Sequence, residues 1–185
     1  DGGINWTVIK NITIDDLLGI CFVDIQNGWI VGEAGTILHT SDSGQNWIFQ
    51  TSPINSNLND LVFLDTNNGW SVGDDGVIIS TANGGEVWFT QESNVSQDIK
   101  GIDFINPSYG YCVSNIDIIS STNNGGNTWV LNSLGVFNTL KGIEFTDSYN
   151  GWAVGYSGTI LKSIDGGEEW YKVDGITNKN LTDRK

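Results

Sequence analysis

The stretches TSDSGQNW (40–47), TANGGEVW (81–88), TNNGGNTW (122–129) and SIDGGEEW (163–170) recur at a step of 41 residues. Each carries Ser or Thr, then Asp or Asn two residues on, Gly two further and Trp three beyond that. The pattern is a turn signature. A short oxygen-bearing side chain accepts hydrogen bonds from nearby backbone N–H groups, and Gly supplies the positive φ of a tight hairpin. The Trp that follows is expected to cap the turn and pack inward. Its burial removes ~150–250 Å² of surface, an upper bound of roughly 4–6 kcal/mol. The structural residues expected of these turns are Asp42, Gly44 and Trp47; Asn83, Gly85 and Trp88; Asn124, Gly126 and Trp129; and Asp165, Gly167 and Trp170.

The same step runs through the rest of the chain. DGGINW (1–6) is the tail of a fifth copy, and Trp29, Trp70, Tyr111 and Trp152 form a second series, so the eight Trp occupy two positions of the repeat. First strands are read at LGICFVD (18–24), LVFLD (61–65), GIDFIN (101–106) and GIEFTD (142–147). Second strands follow at GWIVG (28–32), GWSVG (69–73), GYCVS (110–114) and GWAVG (151–155), and third strands at TILHT, VIIST, IISST and TILKS. A fourth strand leaves each turn, as in WIFQT (47–51) and WFTQE (88–92). Four strands in about 40 residues is the blade of a β-propeller.

The expected fold is all-β: four complete antiparallel blades at 17–57, 58–98, 99–139 and 140–175, with an extra outer strand within 1–16 and a polar tail at 176–185. The extra strand and the absence of Met predict a segment of a larger propeller. An open arc bares apolar blade edges, so either self-association or contact with further segments of the protein is expected. Blade three departs from the pattern, with Tyr111 for Trp and Ser114 and Asp117 for Gly, and a differently built hairpin is expected there.

Charge narrows the partners. Asp plus Glu number 22 against 8 Lys plus Arg, a net charge of -14, which argues against nucleic acid and anionic membrane surfaces. No run approaches the ~18–20 apolar residues of a membrane helix, and DGGINW lacks the basic and apolar stretches of a signal peptide. Cys21 and Cys112 fall at different repeat positions and are read as small buried thiols.

The motifs G-W-x-V-G-x-x-G-x-I and D-G-G-x-x-W together resemble the BNR or Asp-box repeats, and most closely the photosystem II stability/assembly factor-like family. The resemblance implies a scaffold that assembles or stabilises other proteins. Resemblance to sialidases, which share the turn, would imply an arginine triad, and this chain has one arginine, Arg184. Asn at two of the four turn positions argues for conformation over acid catalysis. The lone His39 and the two unpaired thiols give no zinc spacing and no cofactor site.

Recognition is expected at the second-to-third strand hairpins, whose tips differ from blade to blade: Glu33, Asp74 and Asp75, Asn115, and Tyr156. The expected partner is a protein. The alternative is a glycan, held or hydrolysed by paired carboxylates, with Asp15–Asp16 and Asp74–Asp75 as candidates and surface tyrosines as platforms. Lys100 and Lys141 either border a channel mouth or balance Asp98 and Glu144. A bacterial setting outside the cytoplasm is expected, extracellular, at the cell surface or periplasmic.

Overall fold

The computed structural model describes residues 4–8, 12–116, 118–133, 138–173, 179 and 181. Four antiparallel sheets, each of four strands in sequence order, form a partial β-propeller. The first blade holds β1 (Leu17–Phe22), β2 (Gly28–Gly32), β3 (Ile37–Thr40) and β4 (Ile48–Phe49). The second holds β5 (Leu58–Phe63), β6 (Gly69–Gly73), β7 (Ile78–Thr81) and β8 (Phe89–Gln91). The third holds β9 (Ile99–Phe104), β10 (Gly110–Ser114), β11 (Ile118–Thr122) and β12 (Val130–Ser133). The fourth holds β13 (Leu140–Phe145), β14 (Gly151–Gly155), β15 (Ile160–Ser163) and β16 (Tyr171–Lys172). The inner strands pack in the order β1, β5, β9, β13, which sets the arc.

The core lies between blades. Trp29 of blade one stacks on Phe63 of blade two with centroids 3.7 Å apart, Trp70 on Phe104 at 3.8 Å, and Tyr111 on Phe145 at 4.1 Å. The turn Trp of the receiving blade meets each Phe in a T-shaped contact, as in Phe63–Trp88, Phe104–Trp129 and Phe145–Trp170. This geometry explains the G-W pair. Phe63 pairs across the ladder with Gly69, and a Cβ there would stand 2.4 Å from the Phe63 ring. Gly lets the ring lie flat on the strand and present its far face to the preceding blade.

Hydrogen bonds tie the same elements. The Trp29 indole donates to the Gly84 carbonyl at 3.1 Å and Trp70 to Gly125 at 3.2 Å, while the Tyr111 hydroxyl donates to Gly166. Carboxylates reach across as well: Asp60 accepts from the Ile102 N–H and Asp103 from the Phe145 N–H.

The end blades differ from the middle ones. Phe63, Phe104 and Phe145 are buried, but Phe22, at the same repeat position, is 44% exposed, with Leu17 and Ile20 also open. At the other end Trp152 is half-buried, where Trp29 and Trp70 are buried. No described blade precedes β1 or follows β14 to supply the missing half of the contact.

Three expectations need correction. The outer strand expected over the first residues is not formed at 5–8, and Trp6 is 89% exposed. A fourth strand needs a third strand to pair with, and the outer edge of β3 already carries β4. Residues 9–11 and most of 176–185 lie outside the described residues. The four turn tryptophans are also not equally buried: Trp88 and Trp129 are buried, but Trp47 and Trp170 only partly. Finally, Cys21 and Cys112 form no disulfide, but only Cys112 is buried, and its burial pushes its pKa up to about 12. Cys21 sits half-buried in the open first blade.

The hairpin of blade three is built differently, as its sequence suggests. The tips of blades one, two and four are 3-10 turns, whereas Asn115–Ile116 form a plain turn, although Ile116 keeps the positive φ, 64°, that Ala34, Asp75 and Ser157 share. Asp117 lies outside the described residues.

Truncating a buried turn Trp leaves a cavity, so Trp88→Ala is expected to cost about 3–5 kcal/mol. Trp47→Ala, which removes a side chain already partly in water, is expected to cost only about 1–2 kcal/mol. Urea unfolding monitored by circular dichroism checks this, and equal losses would contradict the burial difference.

Candidate functional site

The hairpins between second and third strands gather on one face with the linkers that enter each blade. The Glu33 N–H donates to the Asp16 carbonyl, Asp74 to Asn57, Asn115 to Asp98 and Tyr156 to Thr139. All five tip residues therefore share this face, but not the same freedom. Asp74 is engaged: its carboxylate binds Lys100 at 2.8 Å and accepts from Asn57 and Asn59. Lys100 also reaches Asp98 at 3.1 Å. Burial alone would lower the Lys100 pKa, yet its hydrogen bonds and charge pairing with Asp74 and Asp98 prevail and raise it. Burial likewise opposes ionisation of Asp74, and the bonds from Lys100 and Asn59 outweigh it and hold the carboxyl below its ordinary value. Asn115 is tied to Asp98 at 3.2 Å. Glu33, Asp75 and Tyr156 are exposed. The Lys141 ammonium stands 4.9 Å from the centre of the Tyr156 ring.

The opposite face is made of two stacked turns per blade. In the S/T-x-D/N-x-G-x-x-W turn, the Thr40 hydroxyl donates to Asp42 and accepts from the Gly44 N–H, and Asp42 accepts from the Asn46 N–H at 2.8 Å. Thr81 and Asn83, Thr122 and Asn124, and Ser163 and Asp165 repeat this arrangement. Beneath lies the turn between first and second strands. There Asp24, Asp65, Asn106 and Asp147 each accept the N–H groups two and three residues on. Backbone bonds join the two tiers, as from Gly84 N–H to Asn67 and from Gly125 N–H to Ser108.

Other candidates resolve locally. His39 is half-buried and stacked on Trp29 at 4.7 Å, and burial lowers its pKa. Lys162, at the same repeat position, stands over Trp152. Asp15 accepts the hydroxyls of Thr13 and Thr36. Asp15 and Asp16 line a cavity of about 1040 Å³ with Ile20 and Trp47, on the bare side of blade one. Among the described residues no His, Cys, Asp or Glu cluster fits a metal ion. No described helix is long and apolar enough to cross a membrane.

Sequence reasoning missed a bridge between blades. Gln50 and Gln91 each accept from the turn Trp of the next blade, Trp88 and Trp129, and donate to the glycine carbonyl of its turn. The signal was present: a Gln three residues after two of the turn tryptophans, at the 41-residue step.

Residues 2–88 and 46–135 match the profile of the family described as Photosynthesis system II assembly factor YCF48. The chain belongs to that family. Solved YCF48 structures share its fold. "YCF48 bound to D1 peptide" is 17% identical with a TM-score of 0.61, over 89% of this chain and 84% of that one. YCF48 from Cyanidioschyzon merolae is 16% identical with a TM-score of 0.58, over 94% and 90%. An ancestral GH74 enzyme is 13% identical with a TM-score of 0.75, over 92% of this chain but only 26% of the enzyme. No curated protein matches the sequence.

In this YCF48-family chain the turn acids have a stability consequence. Hydrogen bonds from Asn46 hold Asp42 below its ordinary pKa of 3.8, and bonds from Glu169 and Ser163 do so for Asp165. A carboxylate depressed in the folded state stabilises it above the unfolded pKa, and that gain is lost as pH falls through the folded pKa. Asn83 and Asn124 show that an amide makes the same turn without titrating. The double variant Asp42→Asn, Asp165→Asn is therefore expected to lose less stability than the parent between about pH 4 and pH 2. Thermal melts across that range check this; parallel pH profiles would contradict it.

Proposed function

We propose that this chain is a non-catalytic assembly scaffold that holds a polypeptide partner on its second-to-third strand hairpin face. The observation that carries this reading is the YCF48 family match over residues 2–135, read with a repeat whose packing is constant and whose hairpin tips vary. A solved YCF48 is bound to a D1 peptide, which makes a peptide the first ligand class to test. A net charge of -14 favours a basic partner. The glycan alternative takes little support from Asp74, which Lys100 engages, or from Asp15, held by two threonines.

Glu33 and Asp75 are the residues to change, since altering Asp74 would also break the Lys100 pair. Cross-linking with mass spectrometry in extracts of the source organism is expected to capture a protein through this face. Glu33→Lys with Asp75→Lys is expected to reduce capture at least about tenfold. Unchanged capture by the double variant would reject the face.

The bare end walls extend the proposal to self-association. Trp152 of one copy matches Phe22 of another as Trp29 matches Phe63 within the chain. Sedimentation equilibrium is expected to give a multiple of 20.1 kDa that Phe22→Ser reduces; a monomer at all concentrations would reject this part.

A further inference from the structure

One interblade bridge is incomplete, and the other two show what completes it. At the first junction the Gln50 amide accepts from Trp88 Nε1 at 3.1 Å and donates to the Gly84 carbonyl at 2.7 Å. At the second, Gln91 accepts from Trp129 Nε1 at 3.3 Å and donates to Gly125 at 3.0 Å. At the third junction the repeat places Asn132, one methylene shorter, where the glutamine should be. Trp170 Nε1 is buried and has no hydrogen-bond partner among the described residues. Gly84 and Gly125 each accept two side-chain bonds, from an aromatic donor and from the glutamine. Gly166 takes the Tyr111 hydroxyl, which leaves its second lone pair for another donor.

There is also room. A cavity of about 350 Å³ opens at this junction, lined by Tyr109, Tyr111, Asn132, Gly166, Gly167 and Glu168. In the two complete junctions the glutamine Oε1 lies against Gly85 and Gly126, 2.0 Å from where a Cβ would stand. At Gly167 the ring of Tyr111 leans into that place instead. Its stack on Phe145, at 4.1 Å and 21°, is looser than that of Trp70 on Phe104, at 3.8 Å and 13°.

We propose that the cavity between blades three and four is a slot for the carboxamide of a glutamine side chain presented by a partner polypeptide. The amide displaces Tyr111 from Gly167, accepts from Trp170 Nε1 and donates to Gly166, as Gln50 and Gln91 do in their own junctions. A buried donor left without an acceptor is unfavourable, so a ligand that supplies one is rewarded. Glu168 at the rim repels a carboxylate, which selects Gln over Glu. The inference takes from the proposed function only that the partner is a polypeptide. The slot is built from the turn face, opposite the hairpins.

Nuclear magnetic resonance of the ¹⁵N-labelled chain tests it through the Trp170 indole signal, assigned with Trp170→Phe. The probes are acetyl-Gly-Gln-Gly-amide and its Glu and Ala counterparts. The Gln peptide is expected to shift that signal saturably, with affinity on the order of tenfold above the other two. Asn132→Gln is expected to fill the slot from within: it moves the Trp170 signal towards those of Trp88 and Trp129, raises the melting temperature and abolishes the peptide response. A Trp170 signal unmoved by the Gln peptide, or moved equally by all three, overturns the proposal. So does an Asn132→Gln variant whose Trp170 signal stays where it was. Because the readout is a single indole, failure here leaves partner capture through Glu33 and Asp75 as a separate result.

Discussion

A flat aromatic ring passed from one blade to the next is the contact on which this structure depends. The second-strand Trp of blades one and two lies on the first-strand Phe of the following blade and its indole N–H reaches a turn carbonyl there, and Tyr111 of blade three does the same with its ring and hydroxyl. A β-sheet with one bare face cannot stand alone, so every blade needs a neighbour in the same register. The stack fixes that register, because apolar overlap and a directional hydrogen bond must be satisfied by one side chain at once. The Gly before each Trp follows from it, since only a strand without a side chain at that point lets the Phe ring lie flat.

The two loop faces of the arc are held in different ways. The turn face is fixed, tier on tier, by Asp or Asn side chains bonded to backbone N–H groups. The hairpin face is held by fewer such bonds, from the Ala34 N–H to Asn57 and from the Asp75 N–H to Asp98, and its tips carry acid, amide or aromatic side chains in turn. Blade three is where the pattern loosens on both faces. Tyr replaces Trp, Asn replaces Gln at the next position of the bridge, and the hairpin loses its 3-10 turn. The coincidence of these changes places the irregularities of the described repeat in the third blade and at its junction with the fourth.

Much of this was legible in the residues. A 41-residue step with two aromatic series predicts four-stranded blades, and turn glycines and short oxygen-bearing side chains place the hairpins within a residue or two. Contacts between repeats were less legible, because periodicity reports equivalence and not surroundings. Trp47 and Trp88 are identical to a pattern, yet Trp88 has Gln50 and a preceding blade to pack on and Trp47 does not. Trp6 to Ile12 matches a fourth strand, but a strand needs a partner edge that the pattern does not supply. Lys100 is a charge in a sequence, and only the fold shows it held by an acid before its own strand and another from the previous hairpin.

The account stands or falls on the interblade stack carrying its own energy beyond the burial of its two rings. A double-mutant cycle on Trp70 and Phe104, each changed to Leu, isolates that term by chemical denaturation. A favourable coupling of about 0.5–1.5 kcal/mol is expected for a stacked aromatic pair. Effects that add within about 0.3 kcal/mol would mean that the rings are merely buried side by side and that another contact sets the register of the blades.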